Sequence, residues 1–476
     1  MSVFQFGRSL LNFKLLSQKP DCRSRRFGPL APPGLTDRPD QGAPEVLASF
    51  TSQRELPEAP GFPADDRHPH RENGAAPTAP RTSSPRDRAG PAQTALVHDY
   101  LAQSGGAERV IAALHALFPT APLYTSVYDP RATLPCFAQM DVRTSFLQRS
   151  VLASRRFHKL ALGLYPTAFE QFDLSGFALV ISSSSSFAKG VITGPETCHI
   201  CYCHTPARFA WRQHEYLQQS RLTRLLAPWM RGMITDLRQW DTDSAQRADY
   251  MIANSHNVAG RIRKYYRREA DAVIYPPVET RRFALAPAEE VGDHFLIVSR
   301  LVGYKRVDLA IEACNRLRVP LRVVGAGPER RALQRMAGPT IQFLGRLPDA
   351  QVAEEYARCR ALIFPGDEDF GLTPLECMAS GRPVVAYGRG GALETVTMGK
   401  TGVFFEEQTP EAVMEALQAV STLTFDPQVL QQEAARFDTA VFAERMRAFV
   451  AEATARHRRL YQCAGSDAEG GIPRDL

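Results

Sequence analysis

Two glutamates eight residues apart, Glu368 and Glu376, are the residues whose types and spacing most invite chemistry. They lie in FPGDEDFGLTPLECMASGRPVVAYGRGGALETV (364–395). A buried-strand run ends there at Pro365-Gly366, the acidic loop Asp367-Glu368-Asp369 follows, and a helical pattern begins near Leu372. One carboxylate therefore sits in a loop and the other about one turn into a helix. A helix N-terminus presents free N–H groups and partial positive charge, which suits a diphosphate. The carboxylate one turn in can accept hydrogen bonds from ribose hydroxyls, while the loop carboxylate faces a sugar.

FLIVSRLVGYKRVDLAIEA (295–313) adds Arg300 just after a strand and Lys305 at the start of a helix. Two cations in a low-dielectric crevice stabilise a departing diphosphate more than a bound one, because negative charge builds as the bond breaks. GAGPER (325–330) opens like a dinucleotide fingerprint, but Arg330 stands where the third glycine belongs and no acidic partner is evident downstream. An oxidoreductase reading is weak. In VHDYLAQSGGAERVIAALHALFP (97–119), Gly105-Gly106 lets backbone approach a phosphate or sugar at a helix N-terminus, whereas Glu108 and Arg109 read as structural. Cys198, Cys201, Cys203 and His204 raise a zinc reading. Structural zinc sites draw on two separate knuckles, and alternation along one short strand sends these cysteines to different faces, so they read as buried thiols.

The stretch EDFGLTPLECMASGRPVVAYGRGGALETV resembles, nearly residue for residue, the large retaining glycosyltransferase family 4, and the likeness extends over residues 95–455. It implies the two-domain GT-B fold. In that family the first glutamate of E-x7-E contacts the transferred sugar and the second holds the ribose, which carries over to Glu368 and Glu376. The family's S-R-L-x-x-x-K pattern makes Arg300 and Lys305 diphosphate ligands, its G-x-G-P turn places Gly325 and Gly327 near the nucleotide, and its first-loop glycine pair corresponds to Gly105 and Gly106. Phe370, Gly371, Leu372 and Thr373, at the helix entrance, complete the donor-binding set. CYCHTPARFAWRQHEYL (201–217) is similar to the mannosyltransferases of bacterial O-antigen and exopolysaccharide assembly, where a histidine at a strand end bonds the sugar 6-hydroxyl. His204 matches it, and a neutral imidazole serves without proton transfer.

The resemblance thus implies a hexose transfer, first mannose from GDP-mannose and then UDP-hexoses, onto a glycan or lipid-linked acceptor. It also implies front-face chemistry in which the leaving diphosphate helps to deprotonate the acceptor. Glu368, Arg300, Lys305 and His204 form the expected catalytic set. No D-x-D motif occurs in a fitting place, so neither a metal nor a cofactor is expected. Two rivals remain. One is another GT-B enzyme, such as a sugar phosphorylase or an epimerase, although no pyridoxal-phosphate lysine can be placed. The other is a non-catalytic nucleotide-sugar-binding partner of an assembly complex.

Holding these groups together requires strands and helices in alternation. From Thr94 onward, short apolar runs alternate with helical patterns, the signature of βαβ units and parallel sheets. The fold expected is α/β: two Rossmann-like doubly wound domains facing across a cleft, preceded by a disordered N-terminal segment. Residues 1–93 form a Pro/Arg-rich leader; 14 of the 35 prolines fall in the first 94 residues, too little apolar surface to offset ordering. Its start, with Arg8, Lys14 and Lys19, reads either as an unstructured leader or as a transit-like or membrane-surface helix, and the whole leader also fits an artefact of start-site choice. Residues 94–275 make an acceptor-side domain, 276–293 a linker, 294–440 the nucleotide-sugar domain, 441–462 a helix and 463–476 a tail.

The net charge of +6 suits anionic partners but is too small to argue for nucleic acid. Nine cysteines without a regular framework fit a reducing compartment, and the protein is expected in the cytoplasm. Arg149, Arg155, Arg156, His158 and Lys159, interleaved with apolar residues, fit either peripheral contact with an anionic membrane at its inner face or an ordinary solvated helix.

Overall fold

The computed structural model describes residues 93–149, 162–212 and 227–466. Residues 1–92 of the leader, 467–476 of the tail and the basic residues Arg155, Arg156, His158 and Lys159 lie outside them, while the last helix runs on through 463–466 of the expected tail. Apolar runs bounded by polar turns build two parallel sheets. The first contains β1 (Thr94–His98), β2 (Leu123–Thr125), β3 (Val142–Thr144), β4 (Leu179–Ser184), β5 (Cys198–Cys203), β6 (Tyr250–Ala253) and β7 (Ala272–Val273), in the order β3-β2-β1-β4-β5-β6-β7. The second contains β8 (Phe295–Val298), β9 (Leu321–Val324), β10 (Ile341–Gly345), β11 (Ala361–Phe364), β12 (Val384–Tyr387) and β13 (Gly402–Phe405), in the order β10-β9-β8-β11-β12-β13.

Both sheets are doubly wound, and the winding reverses between β1 and β4 and between β8 and β11. Such a reversal leaves a crevice at the carboxyl ends of the strands. Helices on both faces explain why β4, β5, β6 and β11 read as unbroken buried runs rather than as alternating ones. A few of the helices start at side-chain caps. The Ser255 hydroxyl accepts from the Val258 N–H (3.1 Å), and Thr409 caps Ala412 (3.2 Å) with Pro410 following.

The chain crosses between the domains twice, side by side. The Val278 N–H donates to the Phe437 carbonyl (2.9 Å), and the Thr439 N–H donates to the Val278 carbonyl (3.0 Å). The helix Thr439–Ser466 then returns to the first sheet, where Phe442, Met446, Val450 and Ala453 complete the core formed by Leu96, Ile181, Ile200 and Ile252. The sequence marks this helix only as a trailing element, since its long apolar stripe does not say which sheet it covers.

The first domain also buries a charge pair. Lys189 Nζ donates to Asp241 Oδ1 (2.5 Å) and to the Ser186 carbonyl (2.5 Å), and the second Asp241 oxygen accepts from Trp211 Nε1 (2.7 Å). Burial works against the lysine's charge, but Asp241 raises its pKa above the ordinary value. Removing one member of such a pair strands the other in a dry site. Lys189→Met is expected to destabilise the protein by about 3 kcal/mol or more, read as a lower midpoint in urea unfolding.

Candidate functional site

The acidic loop is shaped by glycines. Gly371 has φ +89°, starts the helix Leu372–Ala379 and lies against the Phe364 ring, where a Cβ would come within 2.6 Å. Gly391 donates its N–H to the Glu368 carbonyl (2.9 Å), and a Cβ there would meet the Phe370 Cα at 2.2 Å. The loop so formed aims the Glu368 carboxylate at the Lys305 ammonium, with which it pairs directly. Lys305 ends a short turn, Gly303–Lys305, that leads into the helix Val307–Leu317.

Tyr304 lies among the cations. Arg300 Nη2 donates to its hydroxyl (3.4 Å), and the Lys305 ammonium sits 5.3 Å from its ring centroid. Burial works upward on this phenol, but Lys305, Arg208 and Arg300 bring its pKa below the ordinary value. Arg300 also reaches across to Gln103 Oε1 (3.1 Å), beside the Gly105-Gly106 loop. Arg300, Lys305 and Glu368 are therefore gathered around one tyrosine. Glu376 is held apart, one turn into its helix, where the buried Tyr356 hydroxyl donates to its Oε2 (2.9 Å).

The remaining expected residues divide by role. A Cβ on Gly106 would sit 2.9 Å from Leu372 Cδ1, so the glycine loop of the first domain abuts the helix entrance of the second. At Gly325 and Gly327 a Cβ would lie 1.9 Å from the Ser299 carbonyl oxygen and 2.2 Å from that of Leu301. These glycines let two backbone loops pack against each other beside Arg300. Phe370 departs from the sequence expectation, because its side chain is buried between Tyr275 (5.3 Å, stacked) and Phe437 (5.8 Å). The ring is spent on the core, and only its backbone faces the loop. Among the described residues, no contact distinguishes Thr373.

His204 directly follows β5 and bonds Ser183 Oγ through Nε2 (2.8 Å); the same hydroxyl lies 3.2 Å from His98 Nδ1. Burial, reinforced by His98, pushes its pKa down to about 3, so it is a neutral hydrogen-bonding group and not a proton carrier. The neighbouring His199, bonded to Ser182 Oγ (2.8 Å), is pushed down to about 4 by burial and then by Arg268. Glu108 is buried and accepts from Gln103 Nε2 (3.1 Å), and Arg109 reaches Asp349 (3.0 Å).

The cysteines fall on two faces, Cys198 in one core and Cys201 with Cys203 in another. Burial pushes the Cys198 thiol up to about 12 and that of Cys201 up to about 11. Among the described residues, Cys198, Asp249 and His457 come within 4.8 Å of one another at the far end of β5 from His204.

Sequence reasoning missed the groups that join the domains. Asp369 accepts from Arg208 Nε (3.0 Å), from Thr205 Oγ1 (3.3 Å) and from Arg261. Asp367 accepts from Arg212 Nη2 (2.9 Å). The two oxygens of Glu394 take the backbone N–H groups of His256 and Asn257 (2.8 Å each), the N-terminus of the helix His256–Tyr266. The charged doublet flanking Glu368 was the available signal, but its partners lie more than a hundred residues away.

Comparison with known proteins bears on this geometry. Residues 279–437 match the family described as glycosyl transferases group 1. The chain is 26% identical over 367 residues to the human alpha-1,3/1,6-mannosyltransferase ALG2, covering 66% of this chain and 84% of that protein. It is 34% identical over 180 residues to a GDP-mannose-dependent alpha-(1-6)-phosphatidylinositol monomannoside mannosyltransferase of Mycolicibacterium smegmatis, covering 32% and 46%. The match to the latter thus spans under half of that relative's length. Among solved structures, Anabaena Alr3699/HepE in complex with UDP and glucose superimposes with a TM-score of 0.57 at 18% identity, over 76% of this chain and all of that one. Sucrose-phosphate synthase from Thermosynechococcus elongatus does so with a TM-score of 0.59 at 18% identity, with the same coverage. These likenesses show the GT-B fold.

An unfolded histidine takes up its proton near pH 6.5, whereas folded His199 and His204 stay neutral far below that. Below pH 6.5 the unfolded state therefore binds more protons, and stability falls as the pH drops. Between pH 7.5 and 5.0 the loss is expected to be on the order of 2 kcal/mol per histidine. Denaturant midpoints at the two pH values check this, and a His199→Gln variant should show the shallower decline.

Proposed function

We propose, on the premise that this chain is a glycosyl transferase of group 1, that it moves mannose from GDP-mannose onto a glycan or lipid-linked acceptor, with retention and without a divalent ion. The observation that carries the reading is the Glu368–Lys305 pair at the junction of two βα loops, with Arg300 beside it and the helix Leu372–Ala379 opening next to it. Lys305, Arg300 and the helix N-terminus together offer a diphosphate the positive charge that a metal would otherwise supply. Glu376, already accepting from Tyr356, has a second oxygen for a ribose hydroxyl. Glu368 lies where a transferred sugar would stand and stabilises and orients it. The neutral His204 bonds a sugar hydroxyl from the first domain. The leaving diphosphate takes the acceptor proton as the new bond forms on the face it vacates. A mannosyl donor is favoured by the likeness to two mannosyltransferases, one of them GDP-mannose-dependent. No helix among the described residues is long and apolar enough to cross a membrane.

Purified protein is to be incubated with a chelator, a panel of GDP-, UDP- and ADP-sugars and a lipid-diphosphate acceptor extract. Release of nucleoside diphosphate from GDP-mannose is expected, unaffected by the chelator and reduced at least about 100-fold in Glu368→Ala. Release that requires added metal would remove the metal-independent part of the proposal. Donor binding by calorimetry without turnover would favour a non-catalytic partner, and absence of binding would overturn the diphosphate site.

A further inference from the structure

Arg208 belongs to the first domain, yet it touches the immediate sequence neighbours of both reacting-site groups of the second. Its guanidinium donates through Nε to Asp369 (3.0 Å) and through Nη2 to the same carboxylate oxygen, and Asp369 follows Glu368. The face of the same guanidinium lies 4.8 Å from the ring centroid of Tyr304, which precedes Lys305. One side chain therefore spans the two loops whose meeting creates the Glu368–Lys305 pair. Both contacts use what distinguishes arginine from lysine, a rigid donor fork and a planar face.

Arg208 is itself held in place. It lies in the short helix Arg208–Trp211, whose Trp211 donates to Asp241, the partner of buried Lys189. Asp369 is fixed from other sides as well. Arg261 pairs with its carboxylate, and its backbone carbonyl accepts from Ser255 Oγ (2.8 Å) and Asn257 Nδ2 (3.2 Å). These further donors all come from the first domain.

The geometry points to Arg208 as a positioning residue: from the first domain, through Asp369 and Tyr304, it sets the relative placement of Glu368 and Lys305 in the second. The inference rests on the transfer reading only in taking those two groups as the reacting site. It follows that the acidic loop reaches its working geometry only while the first domain grips it. Asp369 and Tyr304 transmit this placement and need not touch the donor themselves. A misplacement near 1 Å at a reacting group costs on the order of 100-fold in rate, so this contact is expected to act on turnover and not on nucleotide affinity.

The test uses the full chain with Arg208→Gln, Arg208→Lys, Asp369→Asn and the Arg208→Gln/Asp369→Asn pair. Amide hydrogen exchange in ligand-free protein gives a readout independent of activity. Exchange over residues 366–371 is expected to accelerate about fivefold or more in Arg208→Gln, with β11 and β12 as protected as before. In donor turnover, kcat is expected to fall about 30-fold with donor KM within about threefold. Arg208→Lys should fail to restore it, and the double variant should be no worse than the poorer single one. Unchanged exchange at 366–371 would overturn the inference. So would a raised KM with kcat kept, which would make Arg208 a direct donor ligand, or losses that multiply in the double variant. Should the unaltered protein turn over no donor, the transfer reading falls, and the exchange experiment alone decides this one.

Discussion

Lys305 can meet Glu368 only because β8 and β11 are neighbours in the second sheet. The two strands are separated in sequence by two complete βα units, and the reversal of winding brings their outgoing loops side by side. The backbones nearly touch there: a Cβ on Gly366 would lie 3.0 Å from the Tyr304 carbonyl oxygen. Every other feature of the crevice builds on that adjacency. The glycines curve the loop from β11, the cations gather on the loop from β8, and the helix Leu372–Ala379 opens beside them. The first sheet repeats the device between β1 and β4, whose ends carry His98 and Ser183.

Electrostatics divides along the same lines. In the second domain Lys305 is paired with Glu368, whereas exposed Arg300 bonds neutral partners, Gln103 and Tyr304. In the first domain two acidic groups and a lysine are locked away. Asp99 accepts three backbone N–H groups, from Ser185, Phe187 and Ala188 (2.6, 2.8 and 2.7 Å), and Lys189 is enclosed with Asp241. Such groups hold the 184–190 loop rigid rather than recognise a ligand. A rigid loop matters because the segment after β5, with His204, Thr205 and Arg208, packs next to it.

Much of the fold was legible because both sheets consist largely of contiguous apolar runs ended by Gly or polar residues; β8 to β13 could each be marked from FLIV, LRVV, IQFLG, ALIF, VVAY and GVFF. Strands β2, β3 and β7 escaped, being two or three residues long and too short to show a period. Within the site, Glu368, Lys305 and Arg300 were legible through residue type and resemblance, and the structure brings them together. Phe370 shows the limit of resemblance, since adjacency to Glu368 says nothing of the core into which its ring turns. The pairing of Asp369 with Arg208 was illegible for another reason. The partners are 161 residues apart on different domains, and only tertiary geometry joins them.

The return of the last helix to the first sheet gives this chain an order of assembly. Phe442, Met446, Val450 and Ala453 belong to a core whose other members all precede residue 275. On the ribosome, the apolar face they cover stays open while the entire second domain is made, roughly 10–30 s at about 5–20 residues per second. The first domain to emerge is thus the last to close. During synthesis its uncovered face is a natural target for chaperones, and a chain cut short anywhere before residue 440 leaves that face bare however well its second domain has folded.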